Sequence, residues 1–167
     1  SHDFNYFYNE FGKNNVFYVD THLVGTVNNF TTYNLKLVDK NQSEIVGTAN
    51  FRNLFGKGNQ EFYMKGNFDR ITSNYEDLKS ILPRILGSNL PSVLAKLGNV
   101  NIAGDVELTQ KYINANVTML SQLGYLEGNL AMQNINNIDN ASYQGNIKLD
   151  AFDLGTLLSQ NDIGKAS

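Results

Sequence analysis

The chain contains no cysteine and no tryptophan, and only two of its 167 residues are proline. Without cysteine it can form neither a disulfide nor a thiolate metal site. Only 17% of the residues are charged and the net charge is −3, so a basic patch that could neutralise a phosphate backbone is missing. We therefore expect no nucleic-acid partner. No apolar run reaches the roughly 18 residues that indicate a membrane-spanning helix.

Sequence signals of an active site are missing as well. The chain has no Gly-x-Ser-x-Gly nucleophile motif and no phosphate-binding loop. Asp20 and His22 share one parity of a predicted strand and could form an acid–base or metal pair, but a metal site needs about three protein ligands. We interpret this pair as part of a polar surface. The sequence predicts no enzymatic activity, no metal site and no cofactor.

What the sequence does contain is a repeated alternation of apolar and polar residues. From Val100 to Leu108, alternate positions are apolar or glycine, and the positions between them are polar or small. Since side chains of a strand point to opposite faces in turn, this pattern predicts a strand with one apolar and one polar face. The same pattern predicts one or two strands over 17–27, and further strands over 31–38, 45–51, 62–69, 112–120, 125–133 and 142–151.

A glycine stands on the apolar parity of six of these segments, at Gly25, Gly47, Gly66, Gly104, Gly128 and Gly145. Glycine in a strand costs up to about 1 kcal/mol when nothing is gained in return. A row of glycines on one face allows a sheet to curl towards that face. We expect a mainly β fold, an antiparallel or mixed sheet curled around an apolar interior. Alternation alone favours a filled core over an open groove.

The apolar period changes between residues 72 and 98. Apolar residues recur there at helical spacing, at Leu78, Ile81, Leu82, Ile85, Leu90, Val93, Leu94 and Leu97. This predicts a short amphipathic helical pair at about residues 74–97 that caps one end of the sheet. Ser73 and Glu76 have the spacing of a capping box at its start, and Gly98 is suited to end the second helix.

These segments predict one β-rich domain over residues 1–167. It comprises strands in 1–71, the helical pair in 72–98, hairpin strands in 99–151 and the start of a further repeat in 152–167, where Asp153 can cap a helix. Ser1 and His2 look like a cloning remnant, and no terminating feature precedes Ser167. We therefore expect an internal fragment of a longer protein.

Residues 65–167 resemble the translocation and assembly module TamB family of AsmA-like proteins, in its Bacteroidota form. The resemblance lies in the Leu-Pro pairs at Leu82 and Leu90 and in the runs 97–104 and 145–158. It implies a periplasmic segment of a chain that is anchored in the inner membrane and crosses the periplasm as a curled β-groove. Relatives are implicated in outer-membrane protein assembly and in phospholipid movement between membranes. A partner of the Omp85 type would be contacted through other parts of the parent chain.

A groove for acyl chains needs an apolar face without polar chemistry. Burial of each CH₂ is worth about 0.8 kcal/mol, so such a face could hold a phospholipid tail without specific contacts. The alternative is a closed β-sandwich that serves as an adhesive or carbohydrate-binding module, which an exposed aromatic row would favour; a structural spacer without ligand is a third reading. The candidate groove residues are Ile102, Val106, Leu108, Ile113, Val117, Met119, Leu130, Met132, Ile147 and Leu149.

Overall fold

The computed structural model describes residues 16–56, 60–79 and 92–159. Eight strands form a single antiparallel sheet in which each strand pairs with its neighbours in sequence, and the sheet does not close into a barrel. The mainly β class is thereby confirmed. The strands are β1 (Phe17–Thr26), β2 (Asn29–Asp39), β3 (Glu44–Arg52), β4 (Tyr63–Ser73), β5 (Val100–Thr109), β6 (Tyr112–Ser121), β7 (Gly124–Gln133) and β8 (Ser142–Asp150).

Strand β4 extends beyond its predicted end at residue 69. The pairing of β4 with β5 shifts register between Phe68 and Ile71, and the pairing of β3 with β4 shifts between Val46 and Gly47. Such a bulge inserts an extra residue and interrupts the alternation of faces. The apolar parity therefore resumes at Ile71 one position out of phase, which is why alternation alone places the end of the strand too early.

Asparagine provides several of the backbone conformations that these turns and bulges need. Asn34, Asn53 and Asn134 have positive φ angles of 50°, 54° and 55°. Asparagine tolerates this left-handed region better than most residues. In the turn between β2 and β3, the carboxylate of Asp39 accepts hydrogen bonds from the backbone N–H groups of Asn41 (2.9 Å) and Ser43 (2.8 Å). Local side-chain chemistry thus shapes the connections between the strands.

The helical segment after β4 begins one residue later than the predicted capping box. Residues 75–79 are helical, and the Asn74 side chain accepts a hydrogen bond from the Asp77 backbone N–H at 3.0 Å. Ser73 is instead the last residue of β4, with its hydroxyl 3.2 Å from that of Ser43. The assignment of Ser73 as the cap is therefore wrong, because the strand continues to that position.

The second predicted helix is present as the 3-10 helix Ser92–Leu97. Gly98 follows it with a φ of +64°, which confirms that glycine ends this segment. The 3-10 helix contacts the α-helix Leu154–Leu158, and the Lys96 ammonium donates a hydrogen bond to the carbonyl of Ser159. The remainder of the predicted pair, residues 80–91, lies outside the described residues.

Asp153 caps the helix Leu154–Leu158, as the sequence predicts. Its carboxylate accepts hydrogen bonds from the backbone N–H (2.9 Å) and the hydroxyl (2.6 Å) of Thr156. These two hydrogen bonds hold the pKa of the Asp153 carboxyl below its usual value.

Another 3-10 helix, Ile138–Asn140, connects β7 to β8. None of the helices in the described ranges is long and apolar enough to cross a membrane.

Candidate functional site

Pairing between the strands aligns their apolar parities into rows that cross the whole sheet. Each row holds one residue from each of β2 to β8, and most rows also include one from β1. Together the rows form one continuous surface, the apolar face. Near one end of the strands the row is Gly25, Phe30, Phe51, Met64, Leu108, Ile113, Met132 and Tyr143. Near the other end it is Val19, Leu37, Ile45, Ile71, Ile102, Met119, Leu126 and Leu149.

The predicted glycines all lie on the apolar face, and several stand beside bulky residues of neighbouring strands. One central row reads Leu35, Gly47, Phe68, Gly104, Val117, Gly128 and Ile147. A Cβ atom on Gly66 would lie 2.6 Å from Cζ of Phe68, so the aromatic ring occupies the space above that glycine. Gly104 has a φ of +129°, which side chains rarely permit. The glycines therefore make room for bulky neighbours and for unusual backbone conformations.

The apolar face is covered by the chain's own side chains over β2 to β5, which we call the covered half. Leu35, Ala49 and Phe68 are only 6%, 1% and 5% exposed. Phe62 and Leu108 form a second buried cluster, against which Phe51, Leu54, Met64, Val106, Ile113 and Ile135 pack. In this half the apolar face is a filled core.

Towards β8 the same face becomes accessible, and we call β6 to β8 the open half. Ile147 and Leu149 are 52% and 40% exposed, and every residue of β8 is exposed. Among the ten candidate groove residues, Leu108 is buried. The other seven are half-buried: Ile102, Val106, Ile113, Val117, Met119, Leu130 and Met132. The structure thus brings all ten residues onto one face but leaves only those near β8 open.

The opposite edge of the apolar face is accessible too, which the sequence reasoning missed. Val19 and Leu23 in β1 are 50% and 60% exposed. The alternation in β1 could have assigned these side chains to the apolar face. Their exposure depends on their position at the edges of the sheet, which no local pattern reports.

The polar face carries an organised cluster around Glu107 at the boundary between the two halves. The Tyr63 hydroxyl donates to Glu107 Oε2 at 2.8 Å, and the Asn114 amide donates to Oε1 at 3.1 Å. These hydrogen bonds hold the pKa of Glu107 below its usual value, and the bond to Glu107 raises the pKa of the Tyr63 hydroxyl. The Arg52 guanidinium lies over the Tyr63 ring, 4.9 Å from its centroid. The cluster ties β4, β5 and β6 together.

An open trough of about 630 Å³ crosses the polar face of β5 to β8. One wall is a row of Asp105, Asn116, Asn129 and Asn146, and the other includes Thr118, Glu127 and Lys148. Residues of the central row, among them Val117 and Ile147, also line it, together with Ala103. The trough therefore presents amides, carboxylates, a hydroxyl and an ammonium group beside apolar groups. That the sheet curls towards its apolar face stays a prediction.

Asp20 and His22 are the pair that the sequence analysis considered as a possible acid–base or metal pair. His22 lies beside Tyr33, with 6.4 Å between the ring centroids. Within residues 16–56, 60–79 and 92–159, no group of three or more acidic or histidine side chains is placed to hold a metal ion.

Comparison of the chain with protein-family models, with curated proteins and with solved structures gives no match.

Proposed function

We propose that this chain is a periplasmic segment of a TamB-like protein whose apolar face carries phospholipid acyl chains. The observation that supports it best is the accessible apolar surface of the open half, where Ile147 and Leu149 stand beside half-buried aliphatic residues. Contiguous exposed apolar surface of this kind is typical of sites for lipids or partner proteins. The resemblance of residues 65–167 to the TamB family suggests lipid as the occupant and the cell envelope as the location.

The two faces of the sheet have different roles in this proposal. The apolar face offers dispersion contacts and removal of acyl chains from water, which need no specific polar group. The polar face carries Asp105, Glu127 and Lys148 and stays in contact with water. Transport between membranes, and assistance to outer-membrane protein assembly, would then follow from acyl chains moving along successive strands, with an Omp85-type partner contacted by other parts of the parent chain.

Photo-crosslinking to phospholipid tests this proposal. A benzophenone amino acid at Ile147 reports on the apolar face, and the same probe at Asn146, the preceding residue, reports on the polar face. Both positions are on β8, so they differ in face rather than in distance from the edge. The purified chain is irradiated with phosphatidylethanolamine vesicles, and adducts are detected by intact-protein mass spectrometry.

The proposal expects phospholipid adducts at position 147 and few or none at position 146. Equal labelling of the two positions would indicate non-specific contact, and no labelling at 147 in a folded chain would exclude acyl-chain binding at the open half. A third probe at Leu35, in the covered half, should give no adduct because that side chain is 6% exposed.

A carbohydrate-binding module is the second candidate, and the polar trough is the observation in its favour. Amide and carboxylate groups such as those of Asn129 and Glu127 can donate to or accept from sugar hydroxyls. The strands that the structure describes form one open sheet, not the closed β-sandwich expected for this alternative. Binding of the chain to a glycan array that Asn129→Ala abolishes, and Leu149→Ala does not, would favour this candidate over lipid transport, because Leu149 lies outside the trough.

A further inference from the structure

One row of polar side chains crosses the polar face from β4 to β8. Strand pairing aligns its members, of which four carry a carboxamide and one a carboxylate: Asn67, Asp105, Asn116, Asn129 and Asn146. We call this set the carboxamide row. Because neighbouring strands lie about 4.8 Å apart, the row extends over about 19 Å. All of its members except Asn67 line the polar trough.

Three carboxamides that stand side by side in the trough are not bonded to the rest of the described chain. The side chains of Asn116, Asn129 and Asn146 are exposed and form no hydrogen bond within the described residues. In the next row of the same face, by contrast, Asn114 donates a hydrogen bond to Glu107 at 3.1 Å. The three carboxamides are therefore available to a ligand that both donates and accepts hydrogen bonds.

The charges around the trough nearly cancel. On the wall opposite the carboxamide row, the Lys148 ammonium lies 3.5 Å from the Glu127 carboxylate. Asp105 is the remaining charged residue of the lining. A polyanion would meet this carboxylate without an unpaired cation to offset it, so the trough suits a neutral ligand. A neutral polymer with many hydroxyl groups matches the carboxamides, since each carboxamide can donate two hydrogen bonds and accept two.

The row continues towards β2 with an exposed aromatic side chain. Thr48 pairs with Asn67, and in the bulge between β2 and β3 both Tyr33 and Asn34 lie opposite Thr48. Tyr33 is 44% exposed. A tyrosine ring offers an apolar surface with a polar end, and sugar rings stack their C–H faces on surfaces of this kind. An aromatic platform thus lies in line with the carboxamides.

We propose that the polar face binds a neutral, unbranched, β-1,4-linked glycan that lies across the strands along the carboxamide row. Such a glycan is an extended ribbon whose sugars repeat at a distance close to the spacing between strands, so successive sugars meet successive side chains. The inference rests on the second candidate function, carbohydrate binding, and adds the class of the glycan and its path. It leaves the apolar face free for acyl chains.

Isothermal titration calorimetry of the full chain with cello-oligosaccharides of two to six sugars tests the path. The affinity should rise with each added sugar up to about five, because the row has one side chain on each of five strands. Chitohexaose, which is also neutral and β-1,4-linked, should bind as well. Maltohexaose has the same sugars as cellohexaose in an α-1,4 linkage that makes the chain coil, and it should bind at least tenfold more weakly.

Substitutions along the row locate the contacts. Asn116→Ala and Asn129→Ala should each weaken the binding of cellohexaose roughly tenfold, because each removes a side-chain hydrogen bond to a sugar. The matched control is Asn101→Ala, which changes an exposed asparagine of the same face outside the trough and should leave the affinity unchanged. Circular dichroism establishes that each variant is folded. Tyr33→Ala should weaken retention by hydroxyethyl cellulose in affinity electrophoresis, because only a long chain reaches β2.

The outcomes separate this inference from the function on which it rests. Equal binding of maltohexaose, or full affinity in both Asn116→Ala and Asn129→Ala, would overturn the path along the carboxamide row but leave carbohydrate binding in place. Unchanged retention of Tyr33→Ala would overturn the extension of the path to β2. A folded chain that binds neither cellohexaose nor chitohexaose overturns the inference, and one that also binds no glycan on an array overturns carbohydrate binding itself.

Discussion

The covered half and the open half of the sheet share one sequence pattern but differ in how deeply the apolar side chains are buried. In the covered half, Phe68 and Leu35 are 5% and 6% exposed, whereas Ile147, in the same row across the strands, is 52% exposed. Alternation therefore determines which face a side chain joins, and the surrounding side chains decide whether it is buried. The functional proposal depends on this difference, since only accessible apolar surface can receive an acyl chain.

The largest expected difference between the halves is in the free energy of unfolding after truncation of the apolar row. Phe68→Ala should lower it by about 3–5 kcal/mol, because the ring is buried above Gly66 and its removal leaves a cavity. Ile147→Ala should lower it by less than about 1 kcal/mol, because much of that side chain is already in water. Urea unfolding measures both, and similar losses would contradict the division into two halves.

Glycine substitutions test the backbone at the boundary between the halves. Gly104→Ala should cost about 2 kcal/mol, because φ is +129° and a Cβ would lie 2.2 Å from the carbonyl oxygen of Asn116. Gly155→Ala is the control: it lies in the helix Leu154–Leu158 and its Cβ would meet only the Asp153 carboxylate, at 3.5 Å. That variant should be neutral or slightly more stable by thermal melting. A neutral Gly104→Ala would show that no glycine is needed there.

The polar face offers a smaller contrast, between the Glu107 cluster and the exposed pair in the open half. Tyr63→Phe should cost about 1 kcal/mol at neutral pH by removing the 2.8 Å hydrogen bond to Glu107. Glu127→Gln should change stability by less than about 0.5 kcal/mol, because its partner Lys148 is 3.5 Å away and 78% exposed. Urea unfolding of both variants measures this contrast, which equal losses would remove.

The cost of Tyr63→Phe should also depend on pH. The hydrogen bonds from Tyr63 and Asn114 lower the pKa of folded Glu107 from its ordinary 4.5, so the unfolded chain binds the proton more tightly. The associated stability is present above about pH 4.5 and is lost as pH falls through the lower pKa of the folded state. The difference in stability between wild type and Tyr63→Phe should therefore shrink in thermal melts below pH 4.5. A difference that stays constant would show that Tyr63 does not donate a hydrogen bond to the Glu107 carboxylate.

Much of the fold could be predicted from the sequence because alternation, turn asparagines and glycine positions are local signals. They identify the strands, the shared apolar face and the cap at Asp153. The bulge between Phe68 and Ile71 could not be predicted, since it interrupts the alternation of apolar and polar residues that identifies a strand. The Tyr63–Glu107 cluster was also missed, because it joins residues 44 positions apart through a register that only the sheet defines.

The degree of burial of each side chain could not be predicted from the alternation either. Val106 and Ile147 have similar neighbours in sequence, a glycine two positions away on the same parity, yet one is half-buried and the other exposed. The difference arises because, among the described strands, β5 is flanked on both sides and β8 on one. Burial at an edge depends on partners outside the strand, which explains why the candidate groove residues had to be sorted by structure.

Chemical labelling of single cysteines tests the central claim most directly, because the chain has no cysteine of its own. Leu35→Cys and Ile147→Cys place one thiol in the same row of the apolar face, in the covered and the open half respectively. The account predicts rapid reaction with a maleimide at position 147 and strong protection at position 35 under native conditions, with equal reaction in urea. Equal native rates at the two positions, whether both fast or both slow, would contradict the division of the apolar face into a covered half and an open half.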